Sequence, residues 1–304
     1  MNQLETPVAM IVFNQPEATR RVFARVAAAR PSRLMIIADG PRLNRPGEVE
    51  RCEETKRIAT EVNWPCQVET SFLSENVGPR RRIISGISWV FSLVEEAIFL
   101  EHDCLPDPNF FPYCSELLAR YRNRPQIGYI TGFNPLEKNF PFPYSYYYSR
   151  IANLWGWATW RRTWQDYDEH LSSWPVVKRD GLLKLVFPDK KVVAYWTKIF
   201  DSMYDGTGPD TWDYQFVYTC WTRNFVNIVP RKNLIEYIGF GPQAENTLIP
   251  EPGLTLAAGQ LDFPLKHPPA ISSWPAQEME MQKRFFALNN WRKLYRKLIL
   301  KTNS

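Results

Sequence analysis

Cysteine is scarce in this sequence: the five residues Cys52, Cys66, Cys104, Cys114 and Cys220 are odd in number and show no Cys-x-x-Cys spacing. That excludes a disulfide framework and a zinc site, and predicts buried thiols. Long apolar runs are also missing. No stretch approaches the about eighteen uninterrupted apolar residues of a membrane span. The N-terminal region lacks the basic flank, apolar stretch and small-residue cleavage site of a secretory signal, so a cytoplasmic location is the expectation. The formal charge of +5 is mild; it suits an anionic ligand but does not mark a nucleic-acid binder. Two phosphate-binding signatures are absent as well, the Gly-x4-Gly-Lys-Ser/Thr loop and a Gly-x-Gly-x-x-Gly after the first apolar run. A diphosphate would then have to be held through a metal ion.

What is present is length and alternation. A chain of 304 residues with 44% hydrophobic content can bury a sizeable core. Apolar runs at Val8–Phe13, Leu34–Ala38, Cys66–Phe72, Ala97–Leu100 and Ile127–Ile130 read as strands. Helical patterns fill the gaps, at Glu17–Ala29 after Pro16, Glu48–Val62, Arg80–Val94 and Asp107–Arg122. Short apolar strands separated by helices predict an α/β fold with a mostly parallel sheet flanked by helices.

Ligands of such sheets bind outside the carboxyl ends of the strands. Here the strand ends carry Asn14, then Asp39-Gly40, then Glu75-Asn76-Val77-Gly78, then Glu101-His102-Asp103. Each alone is an ordinary turn or cap; four together predict one ligand rim. In an extended backbone Glu101 and Asp103 face the same way, so both can address one hard divalent cation. Arg80-Arg81-Arg82 opens the helix after the third strand, where a helix N-terminus already favours an anion.

The combination Val12-Phe13-Asn14-Gln15-Pro16, Ala38-Asp39-Gly40-Pro41-Arg42, Glu75-Asn76-Val77-Gly78 and Glu101-His102-Asp103-Cys104-Leu105-Pro106 resembles the GT-A glycosyltransferases of the bacterial nucleotide-diphospho-sugar transferase type. The resemblance implies a Rossmann-like GT-A catalytic domain over residues 1–250, with a nucleotide-sugar-binding half at 1–135 and an acceptor-binding half at 136–250. It also implies roles. Asp39 would bind the nucleotide base or ribose with Phe13 and Asn14 nearby, and Asn76, Gly78, Arg80 and Arg81 would line the nucleotide cleft. Glu101 would reach the ribose with His102 beside it, and Asp103 would ligate Mn2+ or Mg2+. Family members commonly carry a histidine after a Gly-Phe-Gly segment near the end of the domain; here Asn246 stands there, and its amide oxygen can bind either metal. The implied reaction moves a sugar from a nucleotide-diphosphate donor, a UDP-sugar, to a glycan, lipid-linked or other hydroxyl acceptor, with the metal neutralising the departing diphosphate.

Two further segments fit that reaction. Tyr144–Tyr148, Trp155-Gly156-Trp157-Ala158-Thr159-Trp160 and Trp164 are densely aromatic and break the strand and helix alternation. Flat rings suit the apolar faces of sugars, and Gly156 permits a close backbone approach, so Trp155, Gly156 and Trp157 are expected acceptor contacts, together with Trp212. An inverting transfer needs a carboxylate to take the acceptor's proton. In Gly208-Pro209-Asp210-Thr211-Trp212-Asp213, Asp210 has the place of a helix N-cap, and Asp213, in the first turn, is the stronger base candidate. From about Pro250 the chain turns proline-rich, and it ends in a basic amphipathic stretch from Phe285 to Lys301. That stretch is expected either to pack on the catalytic domain or to touch the inner face of an anionic membrane. Two other functions fit some of these features: a non-catalytic carbohydrate-binding protein on the same fold, and a sugar-phosphate nucleotidyltransferase, which lacks its glycine-rich signature here.

Overall fold

The structure, a computed structural model, describes residues 3–136, 142–239, 256–273 and 277–281. Its first half alternates as the sequence predicts: β1 (Val8–Val12), α1 (Pro16–Ala29), β2 (Arg33–Ala38), α2 (Glu48–Ala59), β3 (Gln67–Phe72), α3 (Pro79–Leu93) and β4 (Glu96–Glu101). A short β5 (Cys104–Pro106), α4 (Phe110–Tyr121) and β6 (Ile127–Thr131) follow. The second half gives β7 (Tyr146–Ser149), β8 (Trp157–Trp160), α5 (Arg161–Trp164), α6 (Trp174–Asp180), α7 (Leu182–Val186), α8 (Lys190–Tyr204), α9 (Asp213–Thr222), β9 (Val226–Pro230) and β10 (Ile235–Tyr237).

Eight strands form one sheet in the order β3-β2-β1-β4-β8-β6-β9-β7. The block from β3 to β4 is parallel and β9 is parallel to β6; β8 runs antiparallel to both its neighbours, and β7 antiparallel to β9. The result is an α/β fold with a mostly parallel sheet flanked by helices. Alternate residues of β1 feed two cores. Val8, Met10 and Val12 join the face covered by α1 and α4, while Ala9 and Ile11 join the face covered by α3 and α9. A third core, built from α6 to α9, collects Trp174, Trp196, Phe200 and Trp221.

The aromatic segment corrects one expectation. Rather than interrupting the alternation, Tyr146–Ser149 and Trp157–Trp160 are strands of the main sheet, fully buried along their length. Aromatic residues pack well on pleated surfaces, and strands covered on both faces show no apolar and polar alternation to betray them.

The proline-rich segment folds back onto β7: Ser145 Oγ accepts from the Lys266 amide, and the Tyr146 hydroxyl bonds His267 Nδ1 at 2.9 Å. Residues 277–281 are helical, with Gln277, Glu278 and Met281 buried. Asn246 and the expected basic helix from Phe285 to Lys301 lie outside the described residues. No helix among the described residues is long and apolar enough to cross a membrane.

Candidate functional site

The carboxyl ends of β1, β2 and β4, the N-terminus of α3 and the start of α9 surround a cavity of about 760 Å3. From the first half of the chain Phe13, Asp39, Asn76, Arg82, Glu101, His102 and Asp103 line it, and from the second half Arg150, Asn153, Trp155, Asp210, Trp212, Asp213 and Tyr237.

Asp39 organises the residues from the first half. Its carboxylate accepts from the backbone amides of Gly40, Val77 and Gly78, at 2.9 to 3.2 Å. Burial raises its pKa, and those three amides and the Arg82 charge oppose the rise. Asn76 Nδ2 donates to the Gly40 carbonyl, so the loops after β2 and β3 lock each other. Arg82 is 4% exposed and donates to the Ala38 and Ser71 carbonyls and to the hydroxyls of Ser71 and Ser85. It takes the place expected for Arg80 and Arg81. Arg80 is tied to Glu169 and Arg81 is exposed, and neither lines the cavity. Helix phase explains this: successive residues of α3 point about 100° apart, so only one of three arginines can face the sheet.

Asn14 also differs from expectation. It is buried behind the rim, where its Nδ2 donates to Glu48 Oε2 at 2.9 Å. Glu48 in turn holds Arg42 through its backbone amide, Nε and Nη2, and Arg42 reaches the cavity over the Phe13 ring. Glu48, 2% exposed in its side chain, is lowered from 4.5 to about 2; burial works against the ionised form, and the Arg42 and Asn14 hydrogen bonds overcome it. Because the folded value lies below the ordinary one, this contribution to stability is complete above about pH 4.5 and vanishes as pH falls through about 2. Glu48→Gln is therefore expected to flatten the acid arm of a Tm-versus-pH profile in that window. An unchanged acid arm would count against the assignment.

The acidic corner joins both halves. Glu101 is pushed up to about 8, first by burial and then by the Asp103 and Asp213 carboxylates. Asp213 is raised by burial, against the Thr211 hydroxyl that donates to its Oδ1 and the Tyr214 amide at 3.0 Å. Asp103 is tethered through its carbonyl, which accepts from the Ile238 amide next to β10. Neither ring nitrogen of His102 has a hydrogen-bond partner among the described residues. Among those residues there is also no group of three or more His, Cys, Asp or Glu able to hold a metal ion.

From the second half Trp155 lines the cavity, stacked on Tyr237 at 4.7 Å between centroids and 13° between planes. Trp212 also lines it, although it is only 4% exposed. Trp157 does not. It is 1% exposed, stacked between Phe99 and Trp212, and belongs to the core. Gly156 is likewise a packing residue: at φ 56° a Cβ there would sit 2.3 Å from Ile235 Cδ1, so the close approach is to a side chain of the core. Asp210 is not the N-cap of α9. That position is Trp212, with no side-chain cap, and Asp213 is the first helical residue. Asp210 instead reaches across to Gly78, where φ is 85° and a Cβ would lie 2.7 Å from Oδ2.

Of the cavity residues, Arg42 belongs to a motif of the sequence and Arg82 to its arginine run without a separate role, while Arg150 and Tyr237 belong to neither. For Arg82 a signal existed: it shares a helical face with the buried Gly86 and Val90. Arg150 and Tyr237 carry no local pattern that marks them.

No protein-family model matches the chain, and no curated protein matches it. Solved structures similar to it include a mannosyltransferase from Pyrobaculum calidifontis in complex with GDP-Man and Mn2+, at 9% identity over 73% of this chain and 70% of that one, with a TM-score of 0.36. Another is a UDP-glucose pyrophosphorylase complexed with UDP-glucose, at 8% identity over 53% of this chain and 71% of that one, with a TM-score of 0.29.

Proposed function

We propose that the protein is a cytoplasmic glycosyltransferase of the GT-A type, which moves a sugar from a UDP-sugar to a hydroxyl acceptor with inversion. The observation that carries this reading is the meeting of Asp213 with Glu101 and Asp103 at a cavity that Asp39, Asn76 and Arg82 also line. Asp39 and Asn76 hold the nucleoside end, with Arg42 and Phe13 beside them, and Arg82 supplies positive charge near the phosphates. Asp213 takes the proton of the acceptor hydroxyl. Its Oδ1 is occupied by Thr211 and Tyr214, which leaves Oδ2 for the substrate, and burial raises its basicity toward the neutral range where a general base is most effective. Trp155 and Trp212 border the acceptor.

A divalent ion suits this corner, where the carboxyl groups of Glu101, Asp103 and Asp213 meet, but among the described residues the protein ligands are few. Asp103 would hold it, with Asn246 as a second ligand and the donor's own phosphates completing the shell. When bound, Mn2+ or Mg2+ would neutralise charge on the leaving diphosphate.

The test is ligand-induced stabilisation. UDP with Mn2+ is expected to raise Tm, by the equivalent of about 2.7 kcal/mol at about 100 times Kd, and UDP with EDTA to raise it less. Slow hydrolysis of a UDP-sugar would exclude a purely binding role. Absence of both a UDP-dependent shift and hydrolysis would reject the proposal.

A further inference from the structure

The stretch that links β7 to β8 is neither helix nor strand, yet every residue from Arg150 to Trp155 lines the cavity. Its shape is therefore set by other parts of the chain. The Trp221 indole donates to the Arg150 carbonyl and the Tyr129 hydroxyl to the Ala152 carbonyl, both at 2.8 Å. These two bonds hold carbonyls. The Arg150 amide is held instead by Glu278, 128 residues on, whose Oε1 accepts from it at 2.8 Å. The same carboxylate accepts from Arg150 Nε and, through Oε2 at 2.8 Å, from Nη2, while Nη1 donates to the Leu185 carbonyl. One side chain, 4% exposed, thus fixes both the peptide and the guanidinium of the residue that opens the stretch.

The segment that carries Glu278 follows β7 along its length. The Ser145 amide donates to the Lys266 carbonyl, the Tyr146 hydroxyl bonds His267, Ser273 forms a parallel bridge with Tyr148, and Glu278 meets Arg150. The contacts advance in step, so the segment brings Glu278 to the point where the strand ends. Met281, one turn on, is buried in the core of α6 to α9 and anchors the helical turn there. A buried ion pair adds little net stability over an apolar pair of the same volume; what its bonds do specify is one geometry. We infer that Glu278 is a positioning residue: through Arg150 it sets the pose of the Arg150–Trp155 stretch, so that a segment beyond residue 250 takes part in shaping the acceptor region. The inference rests on the glycosyltransferase reading for what the stretch contacts, and on the geometry alone for how it is held.

Fluorine NMR on the full chain labelled with 5-fluorotryptophan, recorded well below Tm, tests it. Trp155 and Trp64 are assigned by the resonances lost in Trp155→Phe and Trp64→Phe; Trp64, packed on Phe23 of α1, is the internal control. A glutamine offers one acceptor oxygen where the carboxylate offers two, so the Arg150 amide and Nη2 cannot both keep their present partners. Glu278→Gln is expected to shift or split the Trp155 resonance and to leave Trp64 in place. The UDP-induced Tm shift should be kept in full, since Asp39, Asn76 and Arg82 are untouched. Arg150→Gln should move Trp155 as well, and it decides the question if Glu278→Gln does not fold. A purely structural role would lower Tm and leave Trp155 unmoved in the folded protein. That result, or Trp64 moving as far as Trp155, overturns the inference. Failure of UDP to bind the wild type rejects the nucleotide-sugar reading alone, because Trp155 still reports whether Glu278 sets the stretch.

Discussion

Asp213→Asn is expected to lower kcat for sugar transfer by about 10²- to 10⁴-fold and to leave the UDP-induced Tm shift in place. The substitution keeps shape and local bonding. An amide oxygen can still accept from the Thr211 hydroxyl and the Tyr214 amide, so the start of α9 should keep its geometry. What it cannot do is take a proton. The variant also removes one of the two carboxylates that raise Glu101, which makes Glu101 easier to ionise, though burial still raises it. Loss of transfer with retained nucleotide binding therefore identifies a base rather than a broken site. Asp210→Asn is the control. Asp210 is exposed and lies against Gly78 rather than within the acidic corner, so its replacement should cost transfer less. Full transfer activity in Asp213→Asn, or a larger loss in Asp210→Asn, would move the base elsewhere.

Much of this site was legible because its parts sit where the strand pattern ends. β1, β2 and β4 are apolar runs, and the polar residues that follow them are forced to the rim by the end of the strand; Asp39, Glu101 and Asp103 all reach the cavity. Where the structure departs from the sequence expectation the cause is shared: a residue type does not fix an orientation. Asn14 follows β1 as expected but turns inward, because Glu48 from α2 needs a donor. Three arginines open α3, and helix phase selects the third. The tryptophans around Gly156 looked like a sugar platform, yet strand β8 sends Trp157 inward onto Phe99 while Trp155, one residue before the glycine, meets the cavity. In each case the deciding partner is distant in the chain, as Ile235 is for Gly156. Local pattern fixes the element but not which of its side chains meets such a partner.

Arg82 is where fold and site depend on the same atoms, and Arg82→Met is expected to destabilise the protein by about 3–5 kcal/mol, against about 0.5 kcal/mol or less for Arg81→Met beside it. Burial lowers the pKa of the Arg82 guanidinium, and the Asp39 charge opposes that, so each group makes the other's ionised form less costly. Methionine fills similar space but leaves the hydroxyl of Ser71 and the carbonyls of Ala38 and Ser71 without this donor, and takes the Arg82 charge away from Asp39. Asp39 carries the amides of Val77 and Gly78, so the loop that presents Asn76 should loosen with it. Urea unfolding reads the effect: the midpoint should fall with m unchanged, since the surface exposed on unfolding is nearly the same. Arg82→Lys should lie between the two, because an ammonium keeps the charge but cannot span Ala38, Ser71 and Ser85 as a planar fork does. Equal midpoints for Arg82→Met and Arg81→Met would show that the buried guanidinium is not what joins the ends of β2 and β3. The proposed phosphate position beside Arg82 would then lose its scaffold as well.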